Sequence, residues 1–384
     1  MELRDKYGGL ASASLGATGF FRLEGGGQKW RLVDPEGHPF FIVGMNHIDD
    51  SSLKYDENIH LWRERYGCRD KWIQDCVIKS LKEWGFNTLA WTRERVTKEF
   101  RHSPEWTPED FRVAEMPYIP HLDFLSTESW NFQAFYPDVF TSAFEDWCDY
   151  QARYWCASLA DDPYLIGYAC TARPRWTKHP TARPWFSEEE LAGPAARKQL
   201  REIIRKYFET VHNSIRRYDK NHLILGDLIE GKETAPPGDL FPPQEIFEEM
   251  RPYVDVLSIN WYDPFEAMAD TVAEWQAKTD KPVLLADSGF EAPTELKPDT
   301  WNRIHVDTQR ERGEAFCDFL DKASSTGYVI GWGWCAFMEN KARRRGLMTL
   351  MDEPYGECTE LMGEYCKDLY HHVMPEVFEG ADNG

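Results

Sequence analysis

"FFIVGMNHIDD", residues 40–50, is the stretch on which the fold turns. Its first half is a continuous apolar run that follows the turn "DPEGHP". Such a run reads as a strand buried on both faces, as in a parallel sheet. In a doubly wound open sheet the first strand would feed a glycine-rich phosphate loop. Here Asn46, His47, Asp49 and Asp50 follow instead, and no G-x-G-x-x-G or P-loop occurs anywhere in the chain.

Outward from this strand the pattern alternates. "KWIQDCVIKSLKEWG" (71–85) predicts an amphipathic helix and "FNTLAWT" (86–92) a strand. "MPYIPHLDF" (116–124) is a weaker strand, and a long helix is expected from Pro137 to Ala160. Strands are then expected at 164–170, 222–228, 254–262, 282–290 and 328–337, each separated from the next by a helical pattern, with a last helix starting near Glu357. Eight strand candidates with intervening helices fit a (β/α)8 TIM barrel, α/β in class. The expected organisation is one catalytic barrel domain over 1–384, with 1–38 as a β-hairpin extension under the barrel.

A hydrophobic share of 42% supports a full core. The 16 Trp serve either as core or as flat faces for sugar rings. A net charge of −21 argues against nucleic acid and anionic membranes as partners. The nine Cys are scattered with no CxxC pair, which predicts buried free thiols in a reducing compartment. "MELRDKYGGL" has no apolar leader core, so a cytoplasmic protein is expected, with homo-oligomerisation left open.

Barrel enzymes build their sites at the C-terminal ends of the strands. Those ends carry Asn46 and His47; Trp91 and Arg93; Ala172 and Arg173; Asp227 and Glu230; Trp261 and Tyr262; Asp287; Trp334, Glu339 and Asn340. Asp287 in "LLADSGF" and Asp227 in "LILGDLIEG" follow buried runs, where a carboxylate is costly without a partner or a task. Paired carboxylates with aromatic floors suit glycoside cleavage, in which one acid protonates the leaving oxygen and another carboxylate attacks or activates water. Only His47 and His121 fall near strand ends, so no metal and no cofactor is expected. No G-x-S-x-G elbow supports acyl transfer.

Together "WRLVDPEGHPFFIVGMNHID", "PYLIGY", "LILGDLIEG", "PVLLADSGF" and "GWGWCAFMEN" resemble the agarase-like barrel glycoside hydrolases, related to the clan of retaining β-glycosidases. The likeness runs from about residue 20 to residue 370. It implies a carbohydrate substrate, an acid/base after the fourth barrel strand and a nucleophile at the end of the seventh. By position the second role falls on Asp287; the clan prefers Glu there, which leaves the stereochemical outcome open. The acid position falls on or near Ala172, in "CTARPRW", where relatives carry a pattern like Thr-Asp-x-Pro-x-Trp. Thr171, Pro174 and Trp176 match and the acid is missing. Three accounts stay open: an acid removed by engineering, another acid such as Asp227 or Glu230, or a non-catalytic sugar-binding relative. The basic runs "ARPRWTKHPTARPW" and "NKARRRG" suggest Arg recognition of an anionic group on the sugar, with Arg173 and Trp176 as contacts.

Overall fold

The computed structural model describes residues 2–92, 105–122, 124–125, 137–172, 174, 186, 188–231, 244–299, 304–341 and 346–379. Ten strands occur among them: β1 (Arg22–Gly26), β2 (Lys29–Val33), β3 (Pro39–Phe40), β4 (Ile42–Asn46), β5 (Thr88–Leu89), β6 (Gly167–Ala172), β7 (Leu223–Glu230), β8 (Leu257–Asn260), β9 (Val283–Ser288) and β10 (Val329–Cys335). The first three form an antiparallel sheet, with Leu32 opposite Phe40 and Leu23 opposite Leu32. The expected hairpin is therefore present, and it sits under the barrel. Trp30 N–H donates to Gly327 O just before β10 begins, at 2.9 Å, and Gln28 reaches Gln276 ahead of β9.

The other seven strands are parallel, in the order β5-β4-β10-β9-β8-β7-β6. The ends of that sheet meet through the 118–121 segment: Tyr118 bridges both Leu89 and Leu165, and His121 bridges Ala169. This segment occupies the eighth position, so the sheet curls into the expected (β/α)8-like barrel. It does not form the strand expected over 116–124. Pro117 and Pro120 flank Tyr118 and have no N–H for a ladder, so their carbonyls accept from Leu89 and Ala169 instead. β5 is likewise shorter than 86–92. Asn87 takes over the pairing with its side chain, accepting from Val43 N–H and donating to Phe41 O.

Alternation along the strands separates two buried layers. Ile42, Leu225, Leu228, Val256, Leu284 and Ile330 fill the barrel interior. Val43, Ile224, Ile229, Ile259, Leu285 and Trp332 face outward into the larger layer beneath the helices. The helix Ser142–Leu159 starts later than expected, where Thr141 Oγ1 accepts the Phe144 amide as an N-cap. It buries Phe144, Cys148, Ala152, Cys156 and Leu159, a helical spacing along one face. The helix Pro194–Tyr218 has Pro at its first turn and buries Tyr207, Phe208 and Val211 against the barrel. All nine cysteines are free thiols. Among the described residues no helix is long and apolar enough to cross a membrane.

Candidate active site

Asn46, Glu230, Asn260 and Asp287 come together at the C-terminal mouth. Parallel register sets Glu230 opposite Asn260, and Asn260 opposite Asp287. Three neighbouring strands thus carry the row Glu230–Asn260–Asp287. The outer two are two strand spacings apart, about 10 Å at the backbone, a gap that two carboxyl side chains can close around a sugar ring. The register skips one residue at Ala286, between Leu285 and Asp287. Such a bulge re-aims the residues beside it. Here Ala286 lies in the interior cluster and Asp287 also turns inward, onto Asn46.

Asn46 is the clip of the site. Its Nδ2 donates to Asp287 Oδ1 at 2.8 Å and to Ala286 O at 2.8 Å, while its Oδ1 accepts from Trp91 N–H at 3.1 Å. His47 adopts a left-handed backbone, φ 51°, and its N–H donates to Trp91 O at 2.5 Å. That turn brings its Nε2 to 3.9 Å from Asp287 Oδ1. Trp91 lies between His47 and His121, with ring centroids at 4.6 and 5.2 Å. Ser288 accepts from the Trp332 indole at 2.6 Å, which secures the end of β9.

Asp227 occupies a different place from Glu230. It is fully buried, and its Oδ1 accepts from Tyr207 O–H at 2.8 Å and Thr171 N–H at 3.0 Å. Tyr207 belongs to the helix Pro194–Tyr218, so Asp227 points outward, away from the mouth. It holds β6 to β7. By alternation Leu228 and Glu230 point inward, and Leu228 belongs to the interior cluster. Ala172 pairs with Leu228 and packs against that same cluster. Glu230 lies two residues further along the strand beside Ala172.

Several expected sugar contacts are placed elsewhere. Trp334 is fully buried in the outer layer, 5.8 Å from Phe316 and under the Arg312 guanidinium. Trp332 shares that face two residues away and stacks on Phe319 at 4.2 Å. The strand's outward face therefore takes both indoles, which corrects the reading of Trp334 as a stacking floor. Trp261 is also outward, 5.7 Å from Trp275, with its Nε1 donating to Asp263 Oδ2 at 2.9 Å. A Cβ on Gly231 would meet the Trp261 ring at 2.1 Å, so glycine is required there. Burial pushes the Asp263 carboxyl up from its ordinary value, against the bond from Trp261. Glu339 is buried with both oxygens taken, one by Thr294 and one by Tyr355, each at 2.5 Å. Burial, then this bond, pushes the Tyr355 phenol well above its usual range. Asn340 is buried beside it, and Tyr262 is half-buried after β8. Arg93, Arg173 and Trp176 lie outside the described residues, as does most of both basic runs.

Two features of the mouth went unread in the sequence. Asn260 is fully buried and, among the described residues, neither its Oδ1 nor its Nδ2 has a hydrogen-bond partner. The available signal was a polar residue at the inward-facing end of "LSIN", overshadowed by the aromatic pair after it. The second is Cys335 at the end of β10. Its thiol, a ring nitrogen of His47 and an oxygen of Asp287 lie within 4.8 Å of one another. That donor set has the chemistry to hold a soft divalent ion, although no histidine cluster marked it.

No protein-family profile matches the sequence. The chain is 24% identical over 184 residues to beta-agarase B of Vibrio sp. (strain JT0107). The match covers 45% of this chain and 18% of that protein, so the chain spans less than a fifth of the curated relative. The solved structure of an exo-beta-agarase superposes with a TM-score of 0.74 at 18% identity, covering 97% of this chain and 68% of that one. The agarase AgWH50C gives 0.73 at 18% identity, over 97% of this chain and 67% of that one. A beta-galacturonidase from Eisenbergiella tayi is more distant, at 0.55 and 13% identity, covering 91% of this chain and 54% of that one. In sequence over part of its length, and in fold over nearly all of it, the chain is an agarase-like (β/α)8 barrel.

Proposed function

We propose that the chain is a glycoside hydrolase acting on an agar-related polysaccharide or its oligosaccharides. The row Glu230–Asn260–Asp287 on three adjacent strands of an agarase-like barrel carries this reading. Asp287 is the nucleophile, or the base that activates water, at the anomeric carbon. Asn46 orients it through the 2.8 Å bond. Glu230 is the acid: it gives its proton to the glycosidic oxygen as the bond to the anomeric carbon breaks. Of the two acids offered by "LILGDLIEG", Glu230 is favoured because alternation turns it toward the mouth, whereas Asp227 faces Tyr207 on the outer side. A carboxyl from Glu230 takes over the work that the residue at Ala172 cannot do. Asn260 and His47 hold sugar hydroxyls, and Trp91 supplies the stacking face. Arg93, Arg173 and Trp176 are further contacts suggested by the sequence. Nine unpaired thiols support a reducing, cytoplasmic setting.

The test is release of reducing ends from agarose oligosaccharides. Turnover by the parent chain that vanishes in Glu230→Gln and in Asp287→Asn supports both assignments. Saturable binding without product, in the parent and in Ala172→Asp alike, would replace the enzyme by a sugar-binding relative.

A further inference from the structure

We propose that Cys335, His47 and Asp287 form a site for zinc or a similarly soft divalent ion, and that an ion held there takes Asp287 away from the sugar. The second half rests on the role given to Asp287 above; the first half does not. Three adjacent strand ends bring the donors together. Cys335 ends β10 and pairs with Asn46 at the end of β4, and His47 follows directly. Asp287 lies near the end of β9, the neighbour of β10 on its other side. Trp332 and Trp334 point outward, so alternation turns Cys335 into the mouth. All three residues are buried, and the thiol, a ring nitrogen and a carboxylate oxygen lie within 4.8 Å of one another.

The surroundings of the thiol are a second observation. Seven of the nine cysteines are buried. Cys76, Cys148, Cys156, Cys170, Cys358 and Cys366 pack in the apolar layer beneath the helices. Among the described residues Cys335 is the one buried thiol that belongs to neither apolar cluster, and it stands among polar side chains instead. His47 reaches it through a left-handed backbone turn, φ 51°, which is uncommon outside glycine. Asn260, opposite Asp287 in register, is fully buried, and neither end of its amide is partnered among the described residues. Such a group is costly unless it meets a polar occupant, so the pocket that holds Asp287 is made for one.

One thiolate, one imidazole and one carboxylate are ligand types of a zinc centre that keeps a fourth position open. With bonds of about 2.0–2.3 Å in a tetrahedron, neighbouring ligand atoms are roughly 3.5 Å apart. His47 Nε2 and Asp287 Oδ1 are 3.9 Å apart, so small side-chain turns close the site. Asn46 donates to Asp287 Oδ1 at 2.8 Å and steadies the carboxylate from behind. The thiol proton leaves to solvent as the sulfur binds. Sulfur selects against calcium and magnesium, which prefer oxygen. With a metal on its carboxylate, Asp287 can neither attack the anomeric carbon nor take a proton from water.

The full chain is stripped with a chelator, dialysed and titrated with cobalt, then with zinc, calcium and magnesium as separate competitors. Bound metal and the near-ultraviolet thiolate-to-cobalt absorption are read without any sugar. The expectation is one cobalt per chain carrying the thiolate band, displaced by zinc and not by calcium or magnesium. The band is lost in Cys335→Ser and needs at least tenfold more cobalt in Asp287→Asn. Tm of each metal-free variant checks the fold, and Asp287→Asn decides the matter if Cys335→Ser is unstable. At saturating zinc, reducing-end release from agarose oligosaccharides falls by more than roughly tenfold and returns with chelator. Absence of the band, or a band unchanged in Cys335→Ser or in Asp287→Asn, overturns the site. Full turnover with the site saturated by zinc overturns the block on Asp287. A metal-free chain that releases no reducing ends brings down the proposed function and the block together, while the band still decides the site.

Discussion

Replacing Asn260 by Leu should stabilise the protein while harming its activity. The side chain is fully buried, and neither end of its amide has a hydrogen-bond partner among the described residues. Leaving a buried polar group unmet costs about 1–3 kcal/mol, whereas an apolar group of similar shape carries no such penalty. Leucine has the branched outline of asparagine, with a methyl in place of each amide end, so the larger methyl groups set part of the gain against packing. A chain of 384 residues has an unfolding entropy near 0.8 kcal/mol/K. The gain therefore appears as a Tm higher by about 1–4 °C, measured by calorimetry. Under the proposed function the same change removes a hydrogen bond to a sugar hydroxyl between Glu230 and Asp287. A loss of about 10- to 100-fold in kcat/KM is expected. If Asn260→Leu lowers Tm, the amide has a structural task. If it raises Tm and leaves kcat/KM unchanged, Asn260 does not touch substrate. Either result refutes the reasoning.

Asp287→Asn should cut kcat by several orders of magnitude while Tm moves little, read by reducing-end release beside calorimetry. Asp227→Asn should do the reverse: a loss of about 2–3 kcal/mol of stability in denaturant titrations, from the weakened bonds to Tyr207 and Thr171, with kcat per folded molecule retained. Ala172→Asp should raise turnover only if Glu230 is not the acid, so the double variant with Glu230→Gln separates the two positions. Burial alone would push the Asp219 carboxyl up, but His222, Tyr168 and the Asn221 amide hold it below its ordinary value. A lowered folded value means stability that is present above about pH 4 and lost as pH falls through the folded value. Asp219→Asn should accordingly flatten the acid limb of a stability–pH curve.

The barrel was readable because β4, β7, β9 and β10 are buried on both faces and so run apolar without a break. β5 and the 118–121 segment were misjudged in length because the Asn87 side chain stands in for one strand pairing and two prolines interrupt the other. Asn87 and the two prolines carry no periodic signal. In the site, Asp287 and Glu230 could be located from strand ends alone. Which way a residue points could not, and that separates Asp227 from Glu230. It also moved Trp334 outward, since Trp332 and Trp334 share a face and the helix above them offers Phe316 and Phe319. Asn260 escaped notice because an unmet amide is a property of its surroundings.

The stitched eighth position has a consequence for motion. Seven neighbouring strands pair in parallel, and the seam between β5 and β6 is closed by the 118–121 segment, whose residues and their immediate neighbours exchange backbone bonds with Leu89 on one side and with Tyr164, Ile166 and Ala169 on the other. Pro117 and Pro120 bring no amide to this line, so the closure rests on the N–H groups of Tyr118, Ile119 and Leu122, and amide exchange at these three reports directly on opening of the wall. Trp91 and His121 sit on it, at the mouth. Any loosening of the wall here would be felt at Asp287, because Trp91 donates to Asn46 and Asn46 to Asp287.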